Sequence, residues 1–309
     1  MRVTRLDLDG TGSPLGLVAK ILEAEPDLPI PVPIEELAMS LDIGEIAELN
    51  TEGFDGGLVT DEARSFGGIL VRKAMDRRRR RFTIGHELGH FLIPTHTLPA
   101  TGQFQCSSLD MRRWSAKAQD RAARLEAEAN KFYAGILMPA PHLRPLLGKG
   151  KGPDLNRILS IHEHFDVSRE AAARSYVNYH GGILALVVIQ RARILRIYRS
   201  ASFPRTCVSA GSPIPDHTKS GLGGIAQGSV SQIRRGRSED WLESDWGVRM
   251  PRLYEQVMVQ GDEFAMVLLH CEHDEDLDDD FDPDADKTAK QRYRDRMAGD
   301  DPFSYRYNR

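Results

Sequence analysis

Phe82-Thr83-Ile84-Gly85-His86-Glu87-Leu88-Gly89-His90-Phe91-Leu92-Ile93 is an apolar, helix-compatible run with His-Glu-x-x-His at its centre. Positions i and i+4 share one helical face about a turn apart, so His86 and His90 can grip a single ion. Glu87 is rotated by roughly 100° from His86, close enough to address a water on that ion without ligating it. Two imidazoles that fix a metal, and a carboxylate that deprotonates its water, make the zinc-hydrolase arrangement. So short a pattern recurs by chance, and the rest of the chain has to complete the site.

Directly upstream stand five arginines, Arg77-Arg78-Arg79-Arg80-Arg81. One reading is a patch for nucleic acid or an acidic peptide. The other is a helix start whose arginines pair with local acids or lie along the surface, and the block's direct run into the metal helix favours it. Cations at a helix N-terminus oppose the dipole, so the block is not there for helix stability. Downstream, Pro94 to Trp114 reads as a loop of about twenty residues, long enough to suggest a functional rim or lid. His96 follows the helix-ending Pro94 and is expected to be an exposed loop residue rather than a ligand.

A second long helix is expected from about Ser115 to Leu137, ending at Met138-Pro139-Ala140-Pro141. Leu125, Ala129, Phe132 and Ile136 form its apolar stripe at spacings of three and four. A catalytic zinc needs a third protein ligand and an open position, and Glu126 and Glu128 are the candidates. Positions two apart point about 200° from one another, so only one can face the ion. The stripe favours Glu126, beside Leu125. Asn130, one turn on, can accept a hydrogen bond from a ligating imidazole and fix its tautomer.

Taken together, His86-Glu87-Leu88-Gly89-His90, Glu126-Ala127-Glu128-Ala129-Asn130-Lys131-Phe132-Tyr133-Ala134 and Leu137-Met138-Pro139 resemble the ImmA/IrrE family of bacterial metallopeptidases, over roughly residues 15 to 180. The resemblance implies a zincin-like core, with the third ligand four residues before the Asn or Asp and thirteen before the Pro. Both counts land on Glu126, and Asn130 takes the Asn/Asp place. It further implies an intracellular endopeptidase that cuts helix-turn-helix repressors and so derepresses stress-response or mobile-element genes. The chain departs from the simplest members in its long loop between the two metal helices. It also continues for more than a hundred residues beyond the shared core.

Ahead of the motif, helices are expected over residues 15–25 and 34–41, separated by Pro29-Ile30-Pro31-Val32-Pro33. Strands at 46–49, 57–60 and 67–72, with glycines between them, suggest a hairpin or meander. Residues 1–147 thus read as an α+β metallopeptidase domain. Residues 148–181 read as a helix-turn-helix-like pair, 154–164 and 169–179, with Ser168 as N-cap. Its second helix offers only Arg169 and Arg174 as cations, which favours packing or docking a repressor over reading DNA. His162, His164 and His180 go with that packed pair rather than with a metal. Residues 182–271 suggest a C-terminal mixed β or α+β domain, with strands at 183–189, 194–198 and 263–270, to sense a ligand or hold substrate. Residues 272–309 open with an acidic run lacking the Gly and closing Glu of a calcium loop, and read as a solvated tail. A contact between that tail and the arginine block is the alternative.

The formal net charge of -4 over 309 residues argues against a general nucleic-acid binder while leaving local patches open. No apolar run approaches the roughly 18 to 20 residues that span a bilayer. The N-terminus lacks a signal-peptide apolar region, and Cys106, Cys207 and Cys271 lie far apart; both point to the reducing cytoplasm. The sequence therefore leads to a zinc endopeptidase with metal on His86, His90 and Glu126 and Glu87 as proton acceptor; Mn2+ or Fe2+ suits the same donors. The alternative is a non-proteolytic DNA- or repressor-binding regulator on a peptidase-like core. Glu87 counts against it, because a pure scaffold has no need of that carboxylate.

Overall fold

The computed structural model describes residues 1–50, 54–96, 103–106, 121–148, 152–244, 250–261 and 263–272. Ser13 caps the first helix, α1 (Pro14–Ala24), by accepting from the Gly16 amide, and Pro14 sits at the first helical position. The proline step leads into α2 (Ile34–Ser40). There follow β1 (Ile43–Leu49), β2 (Gly56–Thr60), β3 (Gly67–Arg72), α3 (Arg77–Leu92), β4 (Gln103–Cys106) and α4 (Arg121–Leu137).

The first sheet has the order β1-β3-β2-β4. The sequence allowed a hairpin or a meander; β2 and β3 do pair antiparallel as a hairpin, but β3 inserts between β1 and β2 and runs parallel to β1. Gly67 explains how β3 fits there. A Cβ on it would lie 2.8 Å from Ile43 Cδ1 and 3.1 Å from the Phe91 ring, so a bare backbone is what lets strand and helix close up. β4 lies inside the stretch expected to be loop and pairs antiparallel with β2. The rest of that loop, 97 to 102 and 107 to 114, lies outside the described residues, as do the expected helix start at 115 to 120 and the acidic tail from 273 onward.

α3 packs over this sheet, with Leu58, Ile69 and Val71 sharing one core with Ile84, Leu88 and Phe91. α4 crosses α3 at Gly89, where a Cβ would lie 3.1 Å from Phe132 Cδ1 and 3.2 Å from Ala129 Cα. That close crossing brings the polar face of α4 to the two histidines.

Next come α5 (Ala140–Leu147), α6 (Leu155–Phe165) and α7 (Arg169–Tyr179). Asp154 caps α6 and Ser168 caps α7, and Asp166 between them takes the left-handed conformation (φ 52°). The chain then builds β5 (Ile183–Gln190), β6 (Arg193–Arg199), α8 (Asp216–Leu222), β7 (Arg234–Arg235), α9 (Ser238–Trp241), β8 (Leu253–Val259) and β9 (Phe264–Cys271). The second sheet is antiparallel throughout, in the order β6-β5-β9-β8-β7.

Side chains alternate across its strands. Leu184, Leu186, Val188, Met258, Met266 and Leu268 join the same core as α6 and α7. Ala185, Val187, Ile189, Val267 and Leu269 face a second core closed by Phe203, Ile214 and Trp241. Burial on both faces accounts for the unbroken apolar run of β5. Under that second core Glu255 is buried but satisfied, accepting from Trp241 Nε1 at 2.8 Å, Thr218 Oγ1 at 3.1 Å and Arg234 Nη2 at 3.1 Å.

Candidate metal centre

The helix that carries the histidines is tied at both ends. At its start Asp76 accepts from the amides of Arg78 and Arg79 at 3.0 and 3.3 Å. The five arginines meet acids from four directions. Arg77, Arg78 and Arg81 converge on Asp166 at 2.6, 3.0 and 3.5 Å. Arg79 reaches Asp55 at 2.7 Å, and Arg80 reaches Glu35 and Glu48 at 2.9 and 3.0 Å. The arginine block is thus a set of ties to the α6–α7 turn, the approach to β2, α2 and β1. At the other end Arg64 Nη1 donates to the carbonyls of His90, Phe91 and Ile93 at 3.3, 3.1 and 2.8 Å. It satisfies last-turn acceptors and places a cation at the negative end of the dipole.

Between these ties every residue from Thr83 to Leu92 is buried, Glu87 included. His86 Nε2 and His90 Nε2 lie 3.1 Å apart. Glu126 comes in from α4, with Oε2 3.1 Å from His86 Nε2 and Oε1 3.4 Å from His90 Nε2. Tetrahedral ligands at about 2.0–2.1 Å from zinc stand about 3.3–3.4 Å from one another. The contacts among the two imidazoles and the carboxylate are close to that spacing, and two nitrogens and one carboxylate suit zinc, iron or manganese. Among the described residues this is the group of His, Cys, Asp and Glu able to hold a metal ion; His162, His164 and His180 form none.

The far side of each imidazole is also engaged. His86 Nδ1 is 3.1 Å from Asn130 Oδ1. His90 Nδ1 is 2.9 Å from His96 Nδ1, and His96 Nε2 is 3.1 Å from Glu128 Oε2. His96 is fully buried, which corrects the expectation of an exposed loop residue. Pro94 does end the helix, but the His96 amide donates back to the Ile93 carbonyl at 3.1 Å and turns the ring under the helix end. One signal for it was present: His86, His90 and His96 have the spacing of the elongated metzincin motif, with Ile93 where its glycine stands. Here Glu126, and not His96, shares the face of the two Nε2 atoms.

Burial and charge oppose one another around the three donors. Burial disfavours a charged His86, but Glu126, with Glu87 and Asn130 behind it, outweighs this and raises its pKa. For His90 burial prevails, aided by His86, and lowers it. Burial likewise pushes His96 down to about 2, helped by His90 and Arg64. Burial alone would raise Glu126, yet the hydrogen bonds from the two histidines hold it well below the usual carboxylate range. Phe82 walls the site, its ring parallel to His86 at 5.9 Å, with Tyr133 edge-on to it at 4.3 Å.

Residues 45–175 match the peptidase family described as the IrrE N-terminal-like domain. A solved structure of a Mycobacterium tuberculosis transcriptional regulator superposes with a TM-score of 0.51 at 13% identity, covering 84% of this chain and 87% of that one. At that identity the likeness is one of fold. No curated protein matches the chain. Among the described residues no helix is long and apolar enough to cross a membrane. The matched segment spans the whole donor triangle and both of its outer partners, so the part of the chain that carries the site is similar to the IrrE N-terminal-like peptidase domain.

Proposed function

We propose that the chain is a cytoplasmic zinc-dependent endopeptidase, with His86, His90 and Glu126 as metal ligands and Glu87 as general base. The observation that carries this reading is the convergence of His86 Nε2, His90 Nε2 and the Glu126 carboxylate, with contacts of 3.1 to 3.4 Å between them, beside a buried Glu87. A zinc ion bound there supplies a Lewis acid and a water acidic enough to be deprotonated near neutral pH. The Glu87 carboxylate would accept a proton from an attacking water and pass it to the leaving amine. Asn130 holds the His86 ring by its Nδ1 side, leaving Nε2 for the metal.

We infer from the family resemblance that the substrate is a helix-turn-helix repressor, with derepression of stress-response or mobile-element genes as the outcome. The test is direct. Glu87→Gln should retain zinc by elemental analysis while cleavage falls by at least about 100-fold. His86→Ala should lose both. An active Glu87→Gln protein overturns the mechanism.

The transcriptional regulator among structural neighbours favours a second reading, a regulator that binds DNA or a repressor without cutting it. Mass spectrometry of a repressor after incubation with zinc-loaded protein separates binding from cleavage, and a gel shift tests DNA. Within the peptidase reading, residues 182–271 serve to sense a ligand or hold substrate.

A further inference from the structure

Glu128 was the unsuccessful candidate for third ligand, and His96 was read as a loop residue. Both sit behind His90 in a single hydrogen-bonded line. If His90 presents Nε2 to an ion, its ring proton must be on Nδ1. His96 Nδ1, 2.9 Å away, is then the acceptor, which places the His96 proton on Nε2. That Nε2–H points at Glu128 Oε2, 3.1 Å away, and an ionised carboxylate can only accept. Every bond in the line thus has one permitted direction, and that direction keeps His90 Nε2 unprotonated, as a metal ligand must be. Reversing the line protonates His90 Nε2 and removes it as a ligand.

We propose that His96 and Glu128 are positioning residues that lock His90 in its ligating tautomer and ring orientation. This rests on the metal-site reading above. α4 then serves both imidazoles. Asn130 reaches His86 directly, whereas Glu128, two residues from the ligating Glu126 and turned away from the ion, reaches His90 through a histidine spacer. His96 has no solvent exposure and both its ring nitrogens are engaged, an arrangement that packing alone does not require. A carboxylate at the end of such a line also makes the ligating nitrogen more basic, and so a stronger donor.

The test measures zinc affinity of the full chain by competition with a fluorescent chelator, together with the visible absorption of the cobalt-substituted protein. His96→Leu should weaken zinc by about 10- to 100-fold and alter the cobalt bands. His96→Asn carries an Oδ1 near the place of the imidazole Nδ1, can still accept from His90 but no longer reaches Glu128, and should weaken zinc by no more than Glu128→Ala does, about tenfold, and less than His96→Leu. That rescue separates positioning from space-filling, which leucine would satisfy better. If His96→Leu does not fold by circular dichroism, Glu128→Ala takes its place, since that side chain is 28% exposed and its removal opens no sealed cavity. It should weaken zinc by about tenfold. Wild-type affinity and wild-type cobalt bands in these variants overturn the proposal alone. A wild-type chain that binds no divalent metal overturns it together with the peptidase reading.

Discussion

Asp166 illustrates how much one residue can organise. Its carboxylate is nearly buried, yet it meets three guanidinium groups from the first turn and a half of the metal helix. Removing a buried charge from such a cluster leaves its partners uncompensated. Asp166→Asn should therefore cost about 2–3 kcal/mol in urea unfolding, toward the lower end because part of the cluster is hydrated. Arg77 is 74% exposed at the same carboxylate, and Arg77→Ala should cost under about 1 kcal/mol. The sequence made His86, Glu87 and His90 legible because one helical turn contains them. Glu126 was legible because an apolar stripe says which way its helix faces. Asp166 was not, since 89 residues separate it from Arg77. Nor was the burial of His96: its spacing from His90 was on view, but the backbone turn beyond Pro94 that brings the ring under the helix end was not.

At the scale of elements, the site depends on how closely two helices cross. Gly89 stands at the crossing, and a substituent there meets the Phe132 ring at 3.1 Å and the Ala129 backbone at 3.2 and 3.3 Å, of which the backbone cannot rotate out of the way. In an isolated helix alanine at this point gains about 0.5–1 kcal/mol over glycine, and β-branched valine gains less. Here the clash outweighs that gain. Gly89→Val should push α4 outward, carry Glu126 away from the two Nε2 atoms and weaken zinc by about tenfold or more, with helical content retained by circular dichroism. Helices and strands were legible one at a time from caps, prolines and periodicity. Their partners were not: that β3 separates β1 from β2 follows from the fit of a glycine against Ile43 and Phe91, which lie far along the chain. β4 was hidden because four residues inside a long polar stretch carry no clear period of their own.

At the scale of the molecule, one apolar core runs from the first sheet through α3 and α4 to α6, α7 and the inner face of the second sheet. The arginine ties cross that core's rim, joining the metal helix to four other parts of the chain. To a protease that cuts after basic residues, Arg77 to Arg81 is the densest target among the described residues, five cleavable bonds in a row. All five are inside a hydrogen-bonded helix, and a protease needs an extended strand. Trypsin should thus cut there only when the whole core opens, and bound zinc should slow the cut further by favouring the closed form. N-terminal sequencing of fragments that begin at residues 78 to 82 would follow this, and rapid appearance of such fragments under native conditions would contradict it. The stretch that looks most open to attack in the sequence becomes a clock for the least frequent event in the molecule's life.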